Sequence, residues 1–444
     1  MTKSWHHRID AEQLAERIDL PTARGIASLV ATLIRHQDLV SGDLLPRVRD
    51  LGAVLHVSPS TVSAAWTLLR ERGLVTGRGK SGTWISSPAD LVDEIQAMTC
   101  SGPHFDLRLL LPDPHLLPAL DRALIDASAQ PGLSDYDTAG ITPALEAAVR
   151  RTWPAPSEEL IAASGAADGL WLVLRALSVP GDRVLLESPG SPPMVRIVRR
   201  LGLIPVELQS DAHGPLPSSL RQGLKTDPVA VVYQPRAQVP TGRVVSDDRI
   251  RAIAPIMAEE RCVVIEFDVI GDLSVSEHRS LGLRLPDHTV VIKSFEKSHG
   301  PDLRMAVIGG NAHLMSGIHG HMLLERQWTS RILQGALAWL LDDPASQRQV
   351  VSARAVYQER LRSLTAALAR AGAPVESDDG LCVWLPVPGE QPAAKAAAEH
   401  GVLLYPGSPS FPSGDDGFIR VATSRLASGF DEVAAVLSDI ARVG

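Results

Sequence analysis

Apolar residues recur at helical spacing through the first third of the chain and in short strand-like runs after it. Over 22–37, TARGIASLVATLIRHQ, Ile26, Leu29, Val30 and Leu33 fall on one helical face, and Thr22 is placed to cap it. Gly42 and Pro46 interrupt the pattern, and RVRDLGAVL at 47–55 predicts a second short helix. His56-Val57-Ser58 makes a turn into a third helix, PSTVSAAWTLLRERG, with Pro59 at its first position, where a missing N–H costs nothing. LVT, a GRGKSG turn at 77–82 and TWI then predict a β-hairpin. Residues 1–20 are polar and predict a short helix or an arm.

From residue 106 the period changes. Strand-like runs lie at 160–163, 183–187, 204–208, 228–233, 262–266, 289–293 and 305–308, with amphipathic helical segments between most of them. Alternation of this kind predicts a mostly parallel central sheet covered on both faces, hence a multi-domain α/β chain. Ligands bind beyond the carboxyl ends of such strands. Five loops follow strands there: Ser164 to Ala167, Glu187 to Pro193, Gln234 to Gly242, Glu266 to Asp268, and Ser294 to Lys297. The predicted boundaries are a head at 1–86, a serine- and proline-flanked linker at 87–105, and a body at 106–444 with a small C-terminal subdomain over about 350–444.

Charge divides the same way. The 444 residues carry a formal charge of −8, yet residues 1–85 hold eleven Lys and Arg against eight Asp and Glu. Within 45–85 the balance is six against two, so only the head is suited to a polyanion. No run of about 18 apolar residues predicts a membrane span. Three scattered cysteines form no metal or disulfide framework, and the N-terminus has no apolar core like that of a signal peptide. A cytoplasmic protein is the expectation.

Three helices and a basic hairpin make a winged helix-turn-helix, its third helix sized for a major groove. Ser58, Ser60, Thr61 and Ser63 offer hydroxyls on that helix, Arg47 and Arg49 start the second, and Arg78, Lys80 and Ser81 tip the wing. In the body, the lysine of IKSFEKSHGPDLRMAVIGG follows a strand, with Arg304 seven residues after Lys297. A desolvated lysine has a lowered pKa and forms Schiff bases, and an arginine forks onto phosphate. Together they suit pyridoxal phosphate, with an aldehyde and a phosphate. Ser164-Gly165-Ala166 opens a helix whose amides could hold a phosphate, and Asp268 could pair with a pyridine nitrogen. His319 and His321, two residues apart, do not share a helical face, so no metal site is expected.

Residues 45–85 resemble the DNA-binding domain of the GntR family, and 106–444 resemble the fold-type I aminotransferases, through LLPDPHLLP, DYDTAGITPALEAAV, SGAADGL, PTG, SFEKSHGPDLR and GFIRVA. The two together resemble the MocR subfamily of bacterial transcriptional regulators. The resemblance implies Lys297 as the Schiff-base lysine and Arg304 as a phosphate contact, in a loop that begins at Ser294. It implies Ser164, Gly165 and Ala166 as the phosphate loop, and Arg420 as the group that takes an effector carboxylate. It also implies operator DNA as partner, a homodimer, and a small effector, either an amino acid or a molecule related to vitamin B6.

Departures from the family pattern cluster around the ring. Pro59 replaces the head's usual arginine, Ser191 the stacking aromatic, Val269 a tyrosine, Ala237 a histidine, and Glu296 a serine. Phe267 stands where an aspartate is expected, so Asp268 reaches the ring only through a strand bulge. Efficient transamination is not expected. Three readings stand: a regulator that senses pyridoxal phosphate, a regulator whose pocket no longer takes it, and an active aminotransferase.

Overall fold

Thr22 Oγ1 accepts from the Gly25 amide at 3.1 Å and starts the first long helix of the head. The structure is a computed structural model that describes residues 9–36, 38–40, 43–71, 74–76, 82–85, 105–136, 139–325, 327–414 and 417–442. The chain divides into two units, one of Met1–Thr99 with Gly202–Ile204, the other of Cys100–Leu201 with Pro205–Gly444. Expected features at Arg78, Lys80 and Ser81, and all but the last residue of the expected linker at 87–105, lie outside the described residues.

The head has helices α1 (Ala11–Ala15), α2 (Ala23–Arg35), α3 (Val48–Val54) and α4 (Pro59–Glu71), then strands β1 (Val75–Thr76) and β2 (Trp84–Ile85). Ser58 caps α4 through its Oγ, which accepts from the Thr61 amide at 3.2 Å. Val62, Ala65, Trp66 and Leu69, at spacings of three and four, are buried against Ile26, Val30 and Leu51. β1 pairs antiparallel with β2. Residues 43–45 run along β2's other side, with Ile85 N donating to Asp43 O and Leu45 N to Thr83 O, each at 2.8 Å. The wing is therefore a three-stranded ribbon.

In the body the sheet order is β4 (Glu159–Ala163), β11 (Ala306–Gly310), β10 (Thr289–Ser294), β9 (Val263–Asp268), β8 (Ala230–Tyr233), β5 (Arg183–Ser188), β6 (Ile204–Asp211), β7 (Gly214–Pro215). β10, β9, β8 and β5 run parallel. β11 is antiparallel to both its neighbours, β10 and β4. Gly169 lets the helix Ala166–Leu177 lie close on the sheet: a Cβ there would stand 3.1 Å from Ile292 and 3.4 Å from Ile308. That contact fixes which strand residues face the helix. The 27-residue helix Pro344–Arg370 leads to a second sheet, β12 (Cys382–Pro386), β15 (Phe418–Ala422) and β14 (Tyr405–Pro406). The chain enters the described part of the body through β3 (Phe105–Asp106), paired parallel with β13 (Val402–Leu403).

Candidate functional site

β10 does not hand over to β11 through a simple turn. Residues Glu296–His299 form one helical turn, closed by His299 N to Phe295 O at 2.9 Å and Gly300 N to Glu296 O at 3.2 Å. Gly300 at φ +135° stops it, a conformation glycine adopts without strain. Lys297 therefore projects from a short helix at the carboxyl edge of the sheet. Its Nζ donates to the carbonyl of Leu110 at 3.3 Å. Burial depresses the ammonium pKa, and the neighbouring Arg420 cation lowers it further against the pull of Glu296.

Ser164 and Gly165 follow β4 and lead into the helix Ala166–Leu177. Gly165 takes φ +94°, and a Cβ there would lie 2.7 Å from Glu296 Oε1. Ser164 is exposed, its amide donating to Asp168 Oδ2 at 3.0 Å, and Ala166 is buried. Ser294 ends β10, buried, its Oγ accepting from the Glu296 amide at 3.4 Å. Arg304 sits in the left-handed region, φ +46°, with Nε 3.4 Å from Glu296 Oε1. Glu296 thus touches both groups expected to hold a phosphate.

Arg420 lies on β15, only 6% exposed. Its guanidinium stacks on Tyr405, 4.1 Å from the ring centroid, and Nη2 donates to Arg108 O at 2.8 Å. Its Nε is buried with no hydrogen-bond partner among the described residues. Nearby, Arg425 Nε donates to Pro112 O at 3.0 Å. Alternate carbonyls of the segment after β3, at Arg108, Leu110 and Pro112, therefore each accept from a cationic side chain. Sequence analysis singles out LLPDPHLLP only for its family resemblance and gives these carbonyls no role, because a backbone acceptor carries no residue signature.

Asp268 does not join the site. The register runs unbroken, Ile292 opposite Phe267 and Lys293 opposite Asp268, so no bulge rotates the strand. Ile292 faces the helix Ala166–Leu177, hence so does Phe267, while Asp268 turns to the other face. There its Oδ2 accepts from Arg236 Nη2 at 2.8 Å and Nε at 3.1 Å, and Oδ1 accepts from Gly271 N at 3.0 Å. Burial alone would raise its pKa; Arg236 and His278 more than offset that and hold it ionised. His278 also meets Glu266 Oε2 at 3.0 Å, and Tyr233 Oη donates to Glu266 Oε1 at 2.6 Å. The expected ring contact is instead part of a buried ion network.

On the head, Arg47, Arg49, Ser58, Ser60 and Ser63 are exposed and Thr61 is partly exposed. Ser58 Oγ lies 2.6 Å from Ser60 Oγ and 2.9 Å from Thr61 Oγ1, so the three hydroxyls form one cluster at the start of α4. Pro59 stands exposed between them.

A family model for the gntR family of bacterial regulatory proteins matches residues 22–85, and one for aminotransferase class I and II matches 109–436. A vitamin B6 salvage pathway transcriptional repressor of Salmonella typhimurium, PtsJ, is 31% identical over 432 residues, covering 95% of this chain and 98% of that protein. The chain belongs to the MocR subfamily of GntR-type transcriptional regulators. A pyridoxine biosynthesis regulator of Corynebacterium glutamicum, PdxR, is 28% identical, covering 78% of this MocR-type chain and 76% of its own. Among solved structures, a kynurenine aminotransferase of Pyrococcus horikoshii matches with TM-score 0.73 at 18% identity, over 80% of this chain and 94% of its own. That likeness establishes the fold alone.

The class I and II aminotransferase fold normally binds pyridoxal phosphate. In this MocR-type body Lys297 offers the amine that such a group would need. The rest does not fit the group: Glu296 puts a carboxylate against Gly165, and Phe267 presents a hydrocarbon where a ring nitrogen would need an anion. Ser191, where an aromatic would stack, is buried at the start of the helix Pro192–Arg200, and Ala237 is buried at φ +42°.

Proposed function

We propose that the head binds operator DNA in a homodimer and that the body binds a small amino-acid-like carboxylate between Arg420 and Lys297. The observation that carries the ligand reading is Arg420, a buried guanidinium whose Nε has no partner among the described residues. A buried charged donor left unpaired costs free energy that a carboxylate would recover. An arriving anion would compete with the carbonyls of Arg108 and Leu110 for the two cations. Loosening that segment gives ligand binding a physical consequence, since it leads from the residues that follow the head.

The test is operator binding and thermal melting of the full chain against the common amino acids and their 2-oxo acids. At least one should raise the melting temperature and shift affinity for the protein's own promoter region, and Arg420→Ala and Lys297→Ala should each abolish both effects. An unchanged response in Arg420→Ala would refute the reading. Arg47→Ala and Arg49→Ala should each weaken DNA binding and lower the salt slope by about one.

A second reading, sensing of pyridoxal phosphate, is favoured by the depressed pKa of Lys297. Two relatives, PtsJ and PdxR, are named for vitamin B6 pathways. It requires a visible absorbance band on adding pyridoxal phosphate that disappears in Lys297→Ala.

A further inference from the structure

Glu296 immediately precedes Lys297, and its side chain reaches over the start of the helix Ala166–Leu177. A Cβ built at Gly165 would fall 2.7 Å from Oε1, 3.1 Å from Cδ and 3.4 Å from Oε2, so the whole carboxylate lies against that glycine. The helix has no side-chain cap from its own Gly165. Its first amides have no partner inside the helix and carry partial positive charge, which makes this end attractive to an anion. Arg304 also meets this carboxylate, with its Nε 3.4 Å from Oε1. The carboxylate is the less exposed partner of that pair, 23% against 62% for the guanidinium. An uncapped helix start and a guanidinium are the two elements that grip a phosphate. Here an anion covalently fixed one residue from the site's amine lies against Gly165 at the first and pairs with the second.

We propose that Glu296 is a tethered anion filling the phosphate seat, so that the Lys297–Arg420 site accepts unphosphorylated ligands and refuses phosphate esters. This rests on the reading of that site given above and assigns its specificity. A phosphate arriving at the seat meets a like charge and no free volume beside Gly165. Gly165 itself belongs to the arrangement, because any side chain there would expel the Glu296 carboxylate.

Two measurements on the full chain separate this inference from the ligand reading. The first uses inorganic phosphate against chloride at equal ionic strength and does not involve Lys297. Wild type should show no phosphate-specific rise in melting temperature. Glu296→Ser, which empties the seat, should show a rise of a few degrees, lost again when Arg304→Ala is added. Glu296→Gln keeps the volume without the charge, so it should gain less; it also guards against a Glu296→Ser protein that fails to fold. A wild-type response equal to that of Glu296→Ser, or no gain in either variant, overturns the proposal. The second compares pyridoxal with pyridoxal phosphate as probes. Glu296→Ser should move the affinity ratio at least tenfold toward the phosphate ester, about 1.4 kcal/mol. Wild type that binds the ester tenfold more tightly than pyridoxal also overturns the proposal. If the response to amino or 2-oxo acids is unchanged in Arg420→Ala, the ligand reading fails, while the inorganic phosphate result still decides the role of Glu296.

Discussion

Glu187 gives the body a stability that depends on pH in the neutral range. It is the penultimate residue of β5 and 2% exposed. Oε2 accepts from the Gln234 amide at 2.9 Å and Oε1 from Ser210 Oγ at 3.1 Å. Burial raises its pKa from 4.5 to about 7, and those two hydrogen bonds offset only part of the rise. Between the two values the folded chain keeps a proton that the unfolded chain has released. The neutral acid's contribution is therefore fully present below pH 4.5 and is lost as pH rises through about 7. A shift of this size is worth about 3 kcal/mol, an upper bound because local relaxation lets water screen the charge. Glu187→Gln mimics the neutral form at every pH. The chain has two units, so the assay follows one melting transition of the body in both proteins rather than a global unfolding energy. Near pH 4.5 the two proteins should melt together. By pH 8 the variant should melt higher, by on the order of 5 °C. Melting curves that stay parallel from pH 4.5 to 8 would refute the reasoning.

Two other substitutions probe the ion network and the head. Asp268→Asn leaves Arg236 and His278 facing a neutral amide in a buried place, which costs about 3–5 kcal/mol in thermal denaturation. The same variant should keep any ligand response that depends on Arg420, whereas a ring-nitrogen contact would make it lose that response. Trp66, 1% exposed in the head core, should cost about 3–5 kcal/mol on Trp66→Ala and abolish operator binding, with the body's melting transition unchanged.

Helical spacing around Ile26, Val30 and Leu33 was enough to read the head, because each of its helices buries a single stripe against the others. The apolar runs of the body are legible for a similar reason: β10, β9, β8 and β5 are buried on both faces, and each carries an unbroken apolar stretch such as Val290-Val291-Ile292 or Val263-Val264-Ile265. Asp268 shows where such reading stops. The strand pattern tells that Phe267 and Asp268 face opposite ways, but not which face holds the helix; that took the close approach at Gly169. His278 was invisible as Asp268's partner, since nothing local links a loop histidine to a strand carboxylate ten residues away. In sequence Lys297 lies in a loop after a strand, because the helical turn Glu296–His299 is shorter than any period can reveal. Glu296, by contrast, was legible as a charge out of place, although not as one that lies against Gly165.

What unites these residues is a division of labour between two kinds of partner. Lys293, with Asp272 at 2.8 Å, and Arg236, with Asp268 at 2.8 Å, are buried cations that face carboxylates. Among the described residues Lys297 and Arg420 donate to backbone carbonyls, at 3.3 and 2.8 Å, and Arg420 also stacks on the Tyr405 ring. A carbonyl satisfies a donor's geometry but supplies no countercharge, so burial depresses the pKa of both groups. Cations fixed by fully charged partners are structural: an incoming anion gains little by approaching them, because their charge is already neutralised. Cations fixed by dipoles keep most of their charge available, and the partner they would give up is a neutral backbone carbonyl rather than a carboxylate. The difference in partner, more than the difference in position, marks Lys297 and Arg420 as the pair on which a ligand would act.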